Sequence, residues 1–289
     1  SRRRHTRFRN VTGVQTCALP ILNRRQWLVG LGACTTLGMA AAAADPHPLR
    51  DLIRVIGRDD GGLAVRWSDG VLSAHVDAEA TPLFRVLSQI YSRHRRRVDG
   101  GYDTVVLELA CFADLETREV LETWRNPYTG MTVPVPKTVL GPTPYVIQPN
   151  FTAARAPQFS GGVPFGHRFD WQTTGDDVWL TESLDSVMPS PAPGIPGFGF
   201  HENFTYHASA SQLRDSRRPH VDVVVQKTNV LGWRPWMVMG ERRGTTVTRA
   251  HGRVIDDLAQ LPDVFKELNV QHGAGIVDRS EEHTSELQS

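Results

Sequence analysis

Three residues near the C-terminal end of the chain could bind an anion and move a proton. Arg249, His251 and Arg253 alternate along a predicted strand, so their side chains are expected on one side of it. Two guanidinium groups can hold an anionic group, and an imidazole can act as general acid or base near neutral pH. Gly252 between them would allow backbone or ligand to approach closely. The alternative is a polar strip that faces solvent on the outside of a sheet.

Five aromatic residues form a second candidate site. Tryptophan-rich walls suit flat apolar ligands and stacked cations, whereas the alternative for each residue is ordinary core packing. Inside a barrel both could hold at once, because inward-facing side chains either fill the interior or line a ligand cavity. The five candidates are Trp124, Tyr128, Trp179, Trp233 and Trp236.

Smaller features add one anion site and argue against a metal. Arg125 precedes a turn, where it could bind an anion at a barrel mouth or be only a surface charge. His201 and His207 would lie about 20 Å apart on one strand, too far to share a metal ion unless a loop joins them. Cys111 lies on an apolar strand face, which indicates a small buried hydrophobic residue and not a nucleophile. We therefore predict no metal site and no cofactor.

The elements that must position these side chains are mainly strands, because apolar and polar residues alternate between turn signals. We predict an all-β fold, an antiparallel barrel or sandwich, with a short helix over Pro46–Arg58 and a C-terminal helix over Ile255–Leu268. Ser68-Asp69-Gly70 predicts a hairpin turn, and the prolines from Pro134 to Pro149 predict a segment without central strands. Other predicted strands are Thr104–Phe112, Asp177–Thr181, Phe204–Ala208, Val221–Lys227, Trp236–Met239 and Thr245–His251.

The two ends of the chain, Ser1–Ile21 and Arg279–Ser289, resemble translated sequencing adapter and are excluded from reasoning about the fold. Residues 22–44 follow, and within them Asn23–Ala44 has paired arginines, a short apolar run and a small-residue cleavage site. This pattern predicts a twin-arginine export signal, with an ordinary secretory signal as the alternative. We expect a periplasmic or secreted protein that uses the twin-arginine export machinery and has no stable membrane span, because the apolar run is too short.

Residues 45–278 are then expected to form a single β-rich domain that is truncated at its C-terminus. The whole chain has a net charge of +1, but this range holds 24 Lys and Arg against 28 Asp and Glu, a net charge of −4. A mildly acidic domain is a poor partner for a phosphate backbone, so we predict no nucleic-acid binding. Cys111 is the sole cysteine in the range, which excludes a disulfide within it.

Several ordered motifs resemble the bacterial domain-of-unknown-function family 1838. The resemblance spans Asn23 to about Leu268 and implies one fold unit with a twin-arginine signal, but it implies no particular activity. The matching residues are Asp114-Leu115-Glu116-Thr117, Trp124-Arg125-Asn126-Pro127-Tyr128-Thr129-Gly130, Val178-Trp179-Leu180-Thr181-Glu182, Pro235-Trp236-Met237-Val238-Met239-Gly240 and Ala250-His251-Gly252-Arg253.

Two functional hypotheses follow from these residues. The first is an exported protein that binds an apolar or aromatic small molecule in a barrel cavity, with an anionic group near Arg249 and Arg253. The second is a cofactor-independent enzyme, a hydrolase or an isomerase, in which His251 acts as general acid or base. An enclosed cavity lined by His251, Arg253 and two or more tryptophans would favour either of them.

Overall fold

The computed structural model describes residues 49–155, 165–188 and 198–273. The predicted export signal and both predicted adapter segments lie outside these residues. Twelve strands and three α-helices are described. In chain order they are α1 (Leu49–Ile56), β1 (Ala64–Val76), β2 (Glu79–Arg96), β3 (Tyr102–Ala113), β4 (Thr123–Arg125), β5 (Thr132–Pro134), β6 (Thr138–Ile147), β7 (Ala153–Arg155), β8 (Phe165–Thr174), β9 (Asp177–Met188), β10 (Phe198–Ser209), α2 (Ala210–Arg214), β11 (Val223–Leu231), β12 (Thr245–Ile255) and α3 (Asp263–His272).

Ten strands form one antiparallel sheet in the order β7-β6-β3-β2-β1-β12-β11-β10-β9-β8. The two edge strands approach each other, since Thr152 and Arg168 form an isolated bridge and the Phe169 amide donates to the Phe151 carbonyl at 3.2 Å. The sheet is therefore a nearly closed ten-stranded barrel. Strands β4 and β5 form a separate hairpin. The prediction of an antiparallel all-β fold with a helix near each end is confirmed.

Helix α1 packs on inward-facing residues of the barrel. Its Leu52, Ile53 and Val55 are fully buried in a cluster with apolar residues of β3, β6 and β8 to β11. Arg54 on the same helix is 1% exposed, and its guanidinium donates to the carbonyl oxygens of Leu213, Gln212, Asp215 and Arg218. These bonds satisfy a buried charge and fasten α1 to the α2 region.

Helix α3 covers the outside of β1, β2 and β3. Phe265 and Leu268 of the helix share a buried cluster with outward-facing residues of these strands, including Cys111. The Gln89 side chain donates to the Phe265 carbonyl at 3.2 Å, which fixes the helix to the sheet. Burial raises the pKa of the Cys111 thiol to about 11, which confirms it as a buried hydrophobic residue. Among the helices described, none has the length and apolar character that crossing a bilayer requires.

The predicted hairpin turn at Ser68-Asp69-Gly70 is wrong, because β1 continues through these residues as one strand. A Cβ on Gly70 would lie 2.1 Å from the Arg249 carbonyl oxygen, and a Cβ on Gly252 would lie 1.8 Å from the Trp67 carbonyl oxygen. Both glycines are therefore required by the close approach of β1 and β12, which pair along their lengths. Long-range pairing overrides the local turn signal here.

One further strand prediction is wrong, and the prolines from Pro134 to Pro149 lie, as predicted, outside central strands. Trp236–Met239 does not form a strand, because Pro235–Met237 is a single 3-10 turn and Val238 has a left-handed backbone with φ of 51°. The proline-rich stretch does form a strand, since β6 runs through Pro142 and Pro144. This is tolerated because β7 pairs with β6 only from Tyr145 to Ile147, so the prolines lie where one side of β6 has no partner strand.

Candidate functional site

The predicted anion and proton site on β12 faces the outside of the barrel. Arg249, His251 and Arg253 are exposed, whereas Ala250 and Gly252, which alternate with them, are buried. Register confirms the direction, because Arg253 pairs with Trp67, which packs 5.4 Å from the Phe265 ring of the external helix α3. These three side chains therefore point away from the interior of the barrel, where an enclosed cavity would lie. Among the described residues, no carboxylate forms a hydrogen bond with His251, so the geometry gives the enzyme hypothesis no support.

Four of the five predicted aromatic residues come together at one end of the barrel. Trp124 lies 6.1 Å from Trp236, and Tyr128 lies 5.8 Å from Trp233, measured between ring centroids. The inward-facing rings of β2 and β3 join them, with the Trp236 ring 5.8 Å from that of Phe84 and 5.4 Å from that of Phe112. We call this group the aromatic end cluster; its members are Phe84, Phe112, Trp124, Tyr128, Trp233 and Trp236.

The fifth aromatic residue and the predicted arginine lie elsewhere. Trp179 is 43% exposed on the outside of β9, where the centroid of its ring lies 4.4 Å from that of the tilted His207 ring. Arg125 is exposed at the end of β4. Its neighbour Asn126 is fully buried and donates to the Met237 carbonyl at 2.7 Å, so it fastens the β4–β5 hairpin to the 3-10 turn. This amide positions the aromatic end cluster, a role that the sequence did not indicate beyond a turn.

The interior of the barrel contains a buried ion-pair network centred on Glu182 of β9. Its carboxylate accepts from Arg66 at 2.7 Å, from His167 at 2.9 Å and from the Tyr206 hydroxyl. Burial alone would raise the pKa of Glu182, but Arg66 and His167 outweigh it and hold the pKa below its usual value. The carboxylate is therefore ionised and saturated with donors, which suits it to holding the strands in place.

A second interior group lies further along β10 and β11. Glu202 accepts from Lys227 at 2.9 Å and from the Asn229 amide at 3.0 Å, and all three residues are nearly buried. The ring of Phe204 lies between the two groups, with the Arg66 guanidinium carbon 3.7 Å and the Lys227 ammonium 5.2 Å from its centroid. Cation–π attraction thus links the two ion pairs through one ring.

The group of Glu202, Lys227 and Asn229 lies next to the aromatic end cluster inside the barrel. Register places Glu202, Asn229, Thr248 and Leu72 in one row of inward-facing residues across β10, β11, β12 and β1. Leu72 packs in the same apolar cluster as the aromatic residues. The polar interior and the aromatic end therefore meet along this row.

Three polar groups near this boundary have buried atoms without a hydrogen bond. They are Asn229 Oδ1, Thr246 Oγ1 and Arg234 Nε. Arg234 lies 5.3 Å from the Phe112 ring; burial lowers its pKa, while Glu202 and Glu108 act in the opposite direction. Leaving such a group unsatisfied costs about 1–3 kcal/mol, more for a charged one. Native structures satisfy most buried polar groups, so each of these atoms has capacity for a further partner such as water or a ligand.

His201 and His207, which were considered as ligands of one metal ion, lie apart on the outside of the barrel. His201 pairs with Asp185, which also binds Arg168 at 2.7 Å, and His207 pairs with Asp177 at 2.7 Å. Each imidazole thus has its own carboxylate. Across residues 49–155, 165–188 and 198–273, no three side chains of the kinds that ligate metals come together.

Sequence reasoning missed the interior residues, although a signal for them was present. Lys227 and Asn229 follow Val223 and Val225 at alternate positions, so the charged Lys227 lies on the same face of the strand as the buried valines. Glu182 stands in the same way between Leu180 and Leu184. A charge on the core-facing side of a strand is the pattern to search for, because buried charges are rare unless they are paired.

Fold and site together define a β-barrel protein with a charged interior and one aromatic end. The chain belongs to the family described as "Protein of unknown function (DUF1838)", whose model matches residues 62–286 and so includes all twelve strands. This confirms the resemblance seen in the sequence motifs. No curated protein and no solved structure matches the chain. The match ends within Arg279–Ser289, whose adapter origin stays a prediction.

Proposed function

We propose that the protein is exported and binds a small molecule with an apolar or aromatic body at the aromatic end of its barrel. The observation that carries the proposal is the boundary at which Asn229, Thr246 and Arg234 present unsatisfied buried polar atoms beside the aromatic end cluster. Ligand sites combine apolar walls with a few convergent polar groups in this way.

The barrel geometry supports the same proposal. Barrels of eight strands are either filled by side chains or hold one small ligand, and ten strands enclose more space. The wall formed by β1 and β12 carries small inward-facing residues, namely Ser68, Gly70, Ala250 and Gly252. Small residues on one wall make room for the longer side chains of β10 and β11, so the number of strands, and not this wall, is the geometric support for a ligand space.

Titration with phenylnaphthylamine, a neutral aromatic dye whose emission rises in apolar surroundings, tests the proposal. We expect saturable binding of one dye per chain, with energy transfer from tryptophan. Trp236→Leu should weaken binding about ten-fold, because the loss of a stacking surface costs roughly 1–1.5 kcal/mol. Trp179→Leu is the matched control and should leave binding unchanged, since this residue lies outside the barrel. Absence of saturable binding, or equal weakening by both variants, would contradict the proposal.

A further inference from the structure

Arg234 differs from the other cations that face the interior. Arg66 is paired with Glu182, and Lys227 is paired with Glu202. The guanidinium of Arg234 forms neither an ion pair nor a hydrogen bond with any residue that the structure describes, and its Nε is buried. Glu108, one of the two carboxylates that influence it, has a hydrogen bond of 3.4 Å from the Ser88 hydroxyl instead.

The surroundings of Arg234 are apolar on one side and polar on the other. Its guanidinium carbon lies 5.3 Å from the Phe112 ring, which in turn lies 5.4 Å from the Trp236 ring. The Arg234 side chain is half-buried with its Nε inaccessible to solvent, so its unpaired charge is partly desolvated, and an acidic group would offset the cost of that desolvation. The planar guanidinium holds a carboxylate or a sulfonate through two parallel hydrogen bonds, and a free Nε–H leaves one of those donors available.

We infer that the ligand carries an acidic group and that Arg234 binds it, with the aromatic body of the ligand against Phe112 and Trp236. The inference rests on the proposed function, because it names the class of ligand for that site: an aromatic organic anion. It moves the anion site from the outside of β12 to the interior end of the barrel. Arg249, Arg253 and Arg125 are exposed, and ion pairs in solvent contribute only about 0–1 kcal/mol.

Two dyes with the same ring systems separate the inference from the proposal beneath it. Anilinonaphthalene sulfonate has the acidic group, and phenylnaphthylamine lacks it. We expect the full chain to bind the sulfonate about ten-fold or more tightly than the neutral dye, as a charge-assisted pair of roughly 1.5–3 kcal/mol would give. Tight binding of neither dye would refute the proposed function, whereas equal binding of both would refute the anion site alone.

Variants of Arg234 locate the site. Arg234→Met should lower the ratio of sulfonate affinity to neutral-dye affinity about ten-fold or more, while Arg234→Lys should retain part of that preference. Arg217→Met is the matched control for net charge, because Arg217 is 89% exposed at its side chain. A thermal melt of each variant verifies folding.

Each possible result of the variant series either supports or overturns the inference that Arg234 binds the acidic group. Selective loss of the sulfonate in Arg234→Met alone supports the inference. Parallel loss of both dyes in Arg234→Met indicates a structural role for this residue and overturns it. The same loss in Arg217→Met would mean that long-range charge, and not a contact, sets the preference for the anion.

Discussion

Acidification should destabilise the barrel through one buried histidine on β2. His94 is 1% exposed, its Nδ1 lies 2.9 Å from the Thr104 hydroxyl, and its Nε2 is buried without a hydrogen bond. Burial lowers the pKa of His94 from 6.5 to about 4; Glu182 opposes this shift, and Arg66 adds to it. The folded protein therefore keeps this imidazole neutral at pH values where the unfolded chain protonates it.

The sign and size of the effect follow from proton linkage. Between pH 6.5 and about pH 4 the unfolded chain binds more protons at His94 than the folded protein does. The contribution of this residue to the free energy of unfolding is therefore present above pH 6.5 and is lost as the pH decreases through this range. From pH 7 to pH 5 this histidine alone should remove about 2 kcal/mol from the free energy of unfolding. That is a large part of the 5–15 kcal/mol typical of a folded domain.

Urea unfolding at pH 7 and pH 5, followed by tryptophan fluorescence, measures the effect. In His94→Gln the change between the two pH values should shrink by about 2 kcal/mol, even though the variant is less stable at pH 7. Val86→Ala, which removes apolar volume from the same strand and changes no titratable group, should keep the full pH dependence. Equal pH dependence in the wild type and in His94→Gln would refute the reasoning.

Two further predictions concern the interior network and the N-terminal segment. Glu182→Gln should reduce the free energy of unfolding by about 3 kcal/mol or more, because it leaves Arg66 as an uncompensated buried charge; the same change at Glu122, a 75% exposed partner of Lys137, should leave it nearly unchanged. A small loss at Glu182 in a urea titration would show that water enters the network. Replacing Arg24 and Arg25 with lysine should block export if the twin-arginine prediction holds, and an unchanged periplasmic yield would contradict it.

Much of the fold could be predicted because strands leave a period-two pattern in the sequence. The alternation in Thr104–Phe112 and Thr245–His251 located β3 and β12, and the apolar stripe near the N-terminus located α1. What the sequence could not show is pairing between distant segments. Ser68-Asp69-Gly70 has good turn chemistry, yet its backbone is held extended by β2 on one side and β12 on the other.

The site could be predicted only in part, for a related reason. Trp124, Tyr128, Trp233 and Trp236 were predicted as members of one site and do meet at one end of the barrel. Trp179 was grouped with them because the type of a residue does not show whether its side chain points into or out of the barrel. Which side of a strand faces inward depends on the whole barrel, so the same residue types serve as interior wall in one place and as surface in another.

The exposed charges of β12 and the small residues on its inner face have one cause, the alternation of side chains along a strand. Arg249, His251 and Arg253 point outward, so Thr248, Ala250 and Gly252, which alternate with them, must form the inner wall. In the row of Ala250, register places Gly70 on one side and Lys227, Phe204 and Glu182 on the other. The glycines and alanine leave the volume that these larger side chains occupy. Gly252, which was predicted to belong to the site of Arg249, His251 and Arg253, therefore shapes the interior of the barrel, because successive residues of a strand face opposite sides.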